Sequence, residues 1–398
     1  MVHFYNIIYS LEKATEWEPG QLRVEKPLHD AFVLFDPTFI DDTDTIVVVD
    51  EIQESAKVYS LIRQFAREFD CHFIVTGSYL GKTLEKEYFL PAGDTDNLTL
   101  HTLSFEEFLD AFNKRNIYDE VGLYGESRHD TYDELKSYYE IYCQIGGYPA
   151  VVRKYLETQN IKKCKEEMIQ IIRIFIEESQ RYFKDILEVN LFEQIFPAIA
   201  QNMIKEKKGS SDLTTELSSL IYKEESNRIT KKSINHVIAW LYRSHIIGFC
   251  GKAIECNPID VSMNNRFYFL DLGVCSYFLI MAGADQASIR GVVNENFVYI
   301  DLLKRVKDMR IAGVAPMFGT YKEGEIDFLV RNIDNFKNYG VEVKAGKSAG
   351  KTAQHLLRDN KVEAVYFLKG DTYGGSTVRM ITIPIYLVHR VHFDYTKE

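Results

Sequence analysis

Two carboxylates and a lysine near the carboxyl end of the chain have the types and spacing of a metal-dependent hydrolytic site. Asp327 lies in a short apolar stretch, and Glu342 and Lys344 follow in another. Because side chains alternate along a strand, Glu342 and Lys344 share one face, and an adjacent strand can place Asp327 beside them. Such carboxylates hold Mg²⁺, and the lysine can orient or deprotonate the attacking water. The alternative is that these charges only decorate strand edges.

A second pair of carboxylates, Asp50 and Glu51, ends the β-branched run 45–49. That run is typical of a strand buried on both faces of a parallel sheet. Helical spacing over 58–69 and a second apolar strand at 72–76 complete a βαβ unit. The carboxyl tips of such strands bind ligands. Acidic residues commonly terminate strands, so this pair alone is weakly specific.

Positive charge is concentrated in residues 203–243, which carry eight basic and five acidic side chains. Helical patterns there, followed by a strand-like segment at 266–270, favour a winged helix. In that interpretation residues 231–243 form the recognition helix, and Lys231, Lys232 and Arg243 contact DNA. A solvated helical face explains the same charges equally well.

Composition limits the remaining possibilities. A chain of 398 residues suggests two to four domains, and a net charge of −11 excludes a general polyanion binder. No apolar run approaches the roughly 20 residues that span a bilayer, and no signal peptide is predicted at the N-terminus. The six cysteines form no CxxC pair, which indicates a reducing environment and a cytoplasmic protein.

The order of several motifs closely resembles the AAA+/STAND-like P-loop ATPases of bacteria and archaea, which carry a C-terminal domain of unknown function. This resemblance implies that Asp50 is the Walker B carboxylate for Mg²⁺, that Glu51 activates water, and that Ser78 senses the γ-phosphate of ATP. The resemblance also leaves open whether the protein forms an oligomer. The motifs that carry it are residues 50–53, 76–78, 103–109, 146–149 and 268–273.

The C-terminal motif resembles the PD-(D/E)xK signature of restriction-endonuclease-like nucleases. This likeness implies that Glu295, from a preceding helix, completes the site of Asp327, Glu342 and Lys344, and that Gln354 is a secondary position. The predicted fold class is α/β multidomain. Its parts are a partial P-loop NTPase parallel sheet (1–112), a helical lid (113–200), a winged helix (201–270) and a restriction-endonuclease-like α/β domain (271–398).

One departure from the ATPase pattern is decisive. A Walker A loop needs G-x-x-x-x-G-K-[ST], because that spacing wraps backbone N–H groups around phosphates. Before Asp50 the only glycine is Gly20, and the GK[ST] triplets at 81–83, 346–348 and 350–352 lack a correctly spaced glycine and are interpreted as turns. The chain is expected to start after the loop. Asp94 also stands near the place of the family's Gly-Arg pair. Weak or absent ATP hydrolysis is therefore expected.

The sequence is compatible with three functions. The first is a metal-dependent nuclease or DNA-binding module. The second is a nucleotide-regulated switch, which requires a P-loop segment upstream of this chain. The third is a non-catalytic scaffold derived from an ATPase, which would have neither activity.

Overall fold

The computed structural model describes residues 2–5, 11, 27–77, 93–182, 190–205, 215, 217, 230–344, 350–370 and 373–395. The chain divides into two compact units. The first unit comprises Met1–Leu100 and Trp240–Ser244, and the second comprises His101–Ala239 and His245–Glu398.

The first unit is built on a parallel three-stranded sheet in the order β1-β2-β3. Val47 and Val49 of β2 are fully buried, whereas Ile46 and Val48 are half-buried, so the described residues cover one face of this strand more completely than the other. Phe65 stacks on Phe73 with ring centroids 4.6 Å apart, which fixes the last helix against β3. The strands are β1 Val2–Tyr5, β2 Ile46–Val49 and β3 His72–Val75, and the helices are α1 Pro27–Phe35, α2 Ala56–Ser60 and α3 Ile62–Glu68.

The second unit contains an eight-stranded mixed sheet in the order β10-β11-β9-β8-β7-β6-β4-β5. Its strands are β4 Ile247–Ala253, β5 Val261–Phe269, β6 Met317–Tyr321, β7 Gly324–Arg331, β8 Asn338–Lys344, β9 Ala364–Lys369, β10 Gly375–Thr377 and β11 Met380–Pro384. Its helices are α4 Phe105–Ala111, α5 Arg115–Glu120, α6 His129–Ile145, α7 Pro149–Thr158, α8 Ile161–Tyr182, α9 Asn190–Lys205, α10 Lys231–Arg243, α11 Leu272–Met281, α12 Gln286–Lys307 and α13 Lys351–Arg358, of which α10 ends in a segment of the first unit.

The predicted domain boundaries differ from these units. Helix α4, which the sequence analysis placed in the ATPase core 1–112, belongs to the second unit, where Phe105 packs edge-on against Tyr139 and Phe297. The helical region 113–200 and the C-terminal region 271–398 also share this unit, because Tyr139 donates a hydrogen bond to Asn294 at 3.0 Å. Local periodicity predicts such helices but carries no information about their packing partners.

The separate winged helix at 201–270 is not confirmed. Strands β4 and β5 form an antiparallel ribbon, but β4 also pairs in parallel with β6, so the ribbon continues the C-terminal sheet. Helix α10 has the bounds that were predicted for the recognition helix, and its contact with DNA stays a prediction. Part of the predicted winged helix, residues 206–214, 216 and 218–229, lies outside the described residues.

Candidate functional site

The strand tip at Asp50 and Glu51 is held in a defined turn. Thr76 donates its backbone N–H to Val49 at 2.9 Å, and Ile52 donates to Thr76 at 3.0 Å, so the ends of β2 and β3 are tied together. Glu51 has φ 54° and ψ 41°, a left-handed conformation that is uncommon for a side chain of this kind. Eleven other non-glycine residues in the described ranges also have a positive φ, so this conformation does not by itself distinguish the strand tip. The Asp50 carboxylate accepts a hydrogen bond from the Glu51 backbone N–H at 3.0 Å.

Ser78 and Asp94 are the two other positions of this region that the sequence analysis singled out. Ser78 lies outside the described residues. Asp94 forms ion pairs with Arg63 at 2.9 Å and Arg67 at 3.1 Å, both on helix α3. Asp94, which stands where a basic residue was expected, is therefore paired with two arginines of helix α3.

The second predicted site lies on the paired strands β7 and β8. These strands are antiparallel, and Phe328 pairs with Val341. The ladder ends at this pair, and Asp327 and Glu342 are the next residue of each strand beyond it, where β7 also shifts register against β6. Glu342 is 5% exposed. Asp327 accepts a hydrogen bond from the Val343 backbone N–H at 2.7 Å, which fixes its carboxylate at the point where the ladder ends.

Lys344 is the last residue of β8 and stands opposite Lys369 of β9 in the register. Its backbone position, two residues after Glu342, puts it on the same face as that carboxylate. The placement of its side chain lies outside the described part of the structure.

Glu295, the fourth residue of the predicted set, has other partners. The hydroxyl group of Tyr268 donates to the Glu295 carboxylate, and Arg266 pairs with the same oxygen at 3.4 Å. Across the described ranges, no three His, Cys, Asp or Glu side chains are arranged as a metal-binding group. The predicted set therefore separates into Asp327 and Glu342 at the end of the β7–β8 ladder, and a glutamate that belongs to an arginine network.

Glu295 belongs to the arginine network because helix α12, which carries it, is attached to strand β5. Asn296 accepts a hydrogen bond from the Phe269 backbone N–H at 3.0 Å and donates to the carbonyl of the same residue at 2.6 Å. Tyr299, one turn further along, stacks on Tyr268 with ring centroids 4.3 Å apart. These contacts orient Glu295 towards β5, and no sequence pattern indicated them.

Burial and neighbouring charges shift the pKa values of the groups in this network. Burial would lower the pKa of Arg266, but the neighbouring Tyr268, Glu295 and Glu325 raise it above its usual value. Burial is the main cause that raises the pKa of Glu325. The network is therefore a buried cation facing two acids.

The remaining motifs of the ATPase resemblance meet at Asp271. Leu103 donates its backbone N–H to Gly147 at 2.8 Å, and Gly147 donates to the Asp271 carboxylate at 2.8 Å. Asp271 also caps helix α11 by accepting from Gly273 at 2.9 Å and Val274 at 3.1 Å. These motif residues stabilise the second unit and do not contribute to either carboxylate site.

The predicted DNA contacts are exposed on helix α10. Lys231 and Lys232 lie in its first turn, and Arg243 is its last residue. Lys231 donates to Thr215 at 2.6 Å. Cations oppose the positive end of the helix dipole, so the two lysines gain no stability from their position in the first turn.

Comparisons with known proteins identify an AAA-type region. The family model of an AAA domain matches residues 10–109, and a domain of unknown function (DUF8612) matches residues 136–285. The second match crosses the predicted boundaries at 200 and 270, in agreement with the single second unit. The AAA match lies in the region whose strand and motif order resembles that of the ATPases, and it covers about a quarter of the chain.

Two individual proteins are similar to this chain. An uncharacterized protein of Haemophilus influenzae is 23% identical over 319 residues, which cover 79% of this chain and 70% of that protein. The structure of the Aeropyrum pernix ORC1 protein in complex with DNA covers 74% of this chain and 78% of its own, with 11% identity and a TM-score of 0.27. At that TM-score the likeness does not establish a common fold. In the described ranges, no helix has the length and apolar character needed to cross a membrane.

Proposed function

We propose that this chain is a nucleotide-binding protein of the AAA type whose second unit carries a divalent-cation site that acts on the phosphodiester bonds of DNA. The observation that supports the nuclease proposal is the hydrogen bond that the Asp327 carboxylate accepts at 2.7 Å from the backbone of Val343, the residue next to Glu342. The AAA assignment is supported by the match over residues 10–109.

The donors at β7 and β8 fit Mg²⁺. Two carboxylates offer the hard oxygen ligands that this ion prefers, and Mg²⁺ is commonly bound through one or two carboxylates together with water and substrate phosphates. Asp327 and Glu342 would hold the ion, which would polarise the scissile phosphate and its bound water. The backbone N–H of Val343 orients the Asp327 carboxylate. Lys344 would orient or deprotonate the attacking water.

The basic side chains of helix α10 supply the DNA contacts in this proposal. Lys231, Lys232 and Arg243 are exposed and would pair with backbone phosphates, which supply most sequence-independent affinity. The chain as a whole carries a net charge of −11, so contact with DNA is expected to be confined to this local basic surface.

Nucleotide binding in the first unit is proposed to be weak and non-hydrolytic for this chain. Asp50 and Glu51 would hold Mg²⁺ and orient water, with Ser78 near the γ-phosphate. The 398 residues contain no G-x-x-x-x-G-K-[ST] loop to hold the phosphates.

The nuclease proposal is tested by nicking of supercoiled plasmid DNA with Mg²⁺ or Mn²⁺. The purified parent chain is expected to nick, and Asp327→Asn and Glu342→Gln are expected to fall to the metal-free background. Glu323→Gln is the matched control, because Glu323 is an exposed acid just before β7. A parent chain that does not nick with either ion, or variants that nick as the parent does, would refute the proposal.

A further inference from the structure

Two histidines from distant parts of the sequence meet at the surface of the second unit. His101 lies just before helix α4, and His245 lies in the turn between α10 and β4. Their rings meet edge to face, with centroids 6.2 Å apart. Both side chains are exposed, so a solute can reach them.

Backbone pairing explains why these two rings meet. Leu270 donates its N–H to the Ile246 carbonyl at 2.9 Å, and the hydroxyl group of Thr102 donates to the Leu270 carbonyl at 3.4 Å. Residues 102 and 246 are therefore bound to the same residue at the end of β5. His101 and His245 each come one position earlier in the chain, so the two rings are brought together by the fold.

Helix α12 brings two lysines to the same place. The helix lies along β4, because the Tyr299 hydroxyl group donates to the Phe249 carbonyl at 2.9 Å. Lys304 and Lys307 are in its last turn and share one side of the helix. The charge of Lys307 acts on both histidines, and that of Lys304 acts on His101. Three segments of the chain thus form one basic cluster, which consists of His101, His245, Lys304 and Lys307.

Positive charge exceeds negative charge around the basic cluster. Asp308 is a carboxylate whose charge acts on His101, and it also pairs with Arg310 at 3.9 Å. Desolvation by the surrounding protein lowers the pKa of Lys307. Desolvation, followed by the charges of Lys307 and its neighbours in the cluster, lowers the pKa of His101 to about 4. Shifts in this direction arise where a cationic form lacks a compensating anion.

We propose that the basic cluster binds a phosphate group, with the two lysines as its permanent positive charges and the two histidine rings as hydrogen-bond donors. A phosphate supplies the missing negative charge and offers oxygen acceptors to the ammonium groups, which pair with it as point charges. A neutral imidazole still has one N–H to donate. The phosphate belongs either to a nucleic acid backbone or to a free nucleotide. The inference uses none of the residues of the proposed function.

Phosphate binding and protonation of the histidines must favour each other. An opposite charge within about 4–6 Å raises the pKa of a basic group by roughly 1–3 pH units. At pH 6 the ring of His101 is neutral in the free protein, because its pKa is about 4. Bound phosphate should therefore protonate this ring in part, and the same linkage makes the affinity for phosphate rise as the pH falls.

NMR spectroscopy of the full chain with isotope-labelled histidine side chains tests the inference. The resonances of His101 and His245 are assigned with His101→Gln and His245→Gln. At pH 6 and constant ionic strength, inorganic phosphate is expected to move both resonances towards their protonated positions, whereas chloride is not. Lys304→Gln combined with Lys307→Gln should weaken the apparent phosphate affinity by at least about tenfold, because each lysine forms a charge-assisted contact.

Two controls distinguish a site from a general response to anions. Lys162→Gln combined with Lys163→Gln removes the same charge from two exposed lysines of helix α8 and should leave the phosphate affinity unchanged. The ring of His129 is also exposed and stacks on Tyr373 with centroids 4.0 Å apart. Its resonance should not respond to phosphate.

Titrations with ATP and with a short DNA duplex distinguish the sources of the phosphate. A duplex that moves both resonances at a lower concentration than ATP or inorganic phosphate assigns the cluster to a nucleic acid backbone, and the reverse order assigns it to a free phosphate compound. Resonances that respond to none of the three overturn the inference, as does an equal response in the variant that lacks both lysines. Failure of the proposed function leaves these titrations unchanged, because they contain no divalent cation.

Discussion

Replacing Gly147 by alanine would place a methyl group inside the backbone of Leu103. An ideal Cβ at this position lies 2.1 Å from the Leu103 carbonyl oxygen and 2.8 Å from its backbone nitrogen. Real Cβ contacts are essentially never below 3.0 Å, so one of the two segments must move by roughly an ångström. Both obstacles are backbone atoms, and no side-chain rotation can relieve the clash.

The cost follows from the hydrogen bonds at this junction. The Leu103–Gly147 bond and the Gly147–Asp271 bond are both 2.8 Å long and would be stretched or broken. The neutral bond contributes about 0.5–1.5 kcal/mol, and the bond to the carboxylate about 1.5–3 kcal/mol. Overpacking adds about 1–3 kcal/mol. The expected loss is therefore about 3–7.5 kcal/mol, a large part of the roughly 5–15 kcal/mol that stabilises a typical domain.

Urea denaturation followed by circular dichroism measures this loss, and Gly291→Ala is the matched control. Gly291 lies inside helix α12 with nothing within 4 Å of its ideal Cβ, so alanine there should stabilise the helix by about 0.5–1 kcal/mol. Gly147→Ala should lower the urea midpoint strongly while Gly291→Ala raises it slightly. A Gly147→Ala midpoint equal to that of the parent would refute the reasoning from the junction.

Three further predictions concern stability, ATP hydrolysis and DNA binding. Asp301 pairs with Arg305 at 2.8 Å and with His389 at 2.9 Å, so Asp301→Asn should cost about 3–5 kcal/mol in urea denaturation. The hydrogen bond with Asp301 raises the pKa of His389. The stability that this pair contributes is therefore complete below the ordinary pKa of 6.5 and is lost as the pH rises through the higher pKa of the folded state. Asp301→Asn should remove this pH dependence of the unfolding free energy, and an unchanged pH profile would contradict the prediction. ATP turnover by the purified parent should already be at background, so robust turnover that Glu51→Gln abolishes would overturn the expectation. Replacing Lys231 and Lys232 by alanine should reduce the salt dependence of DNA binding by about one unit of slope per lysine, and an unchanged slope would place the DNA elsewhere.

Much of the local structure could be read from the sequence. The pattern from 231 to 243 predicted helix α10, and the apolar segments around Asp327 and Glu342 predicted β7 and β8. That Asp327, Glu342 and Lys344 form one site stays a prediction, because the paired residues of β7 and β8 end at Phe328 and Val341.

Domain membership could not be read in this way. Strands β4 and β5 form a ribbon that local patterns predict, but the pairing of β4 with β6 joins segments about sixty residues apart. The meeting of Leu103, Gly147 and Asp271 joins regions that are 44 and 124 residues apart along the sequence. Such contacts depend on the packing of the whole unit, which local patterns do not encode.

The sequence by itself predicted the strands and helices of the βαβ unit, helix α10 and strands β7 and β8, and its motif order resembles that of AAA-type ATPases. Only the tertiary structure decided that Glu295 belongs to Arg266, because helix α12 is attached to β5 by Asn296 and the arginine reaches Glu325 across strands that are distant in sequence. A buried guanidinium selects its partners by distance and burial, and neither quantity is written in residue spacing.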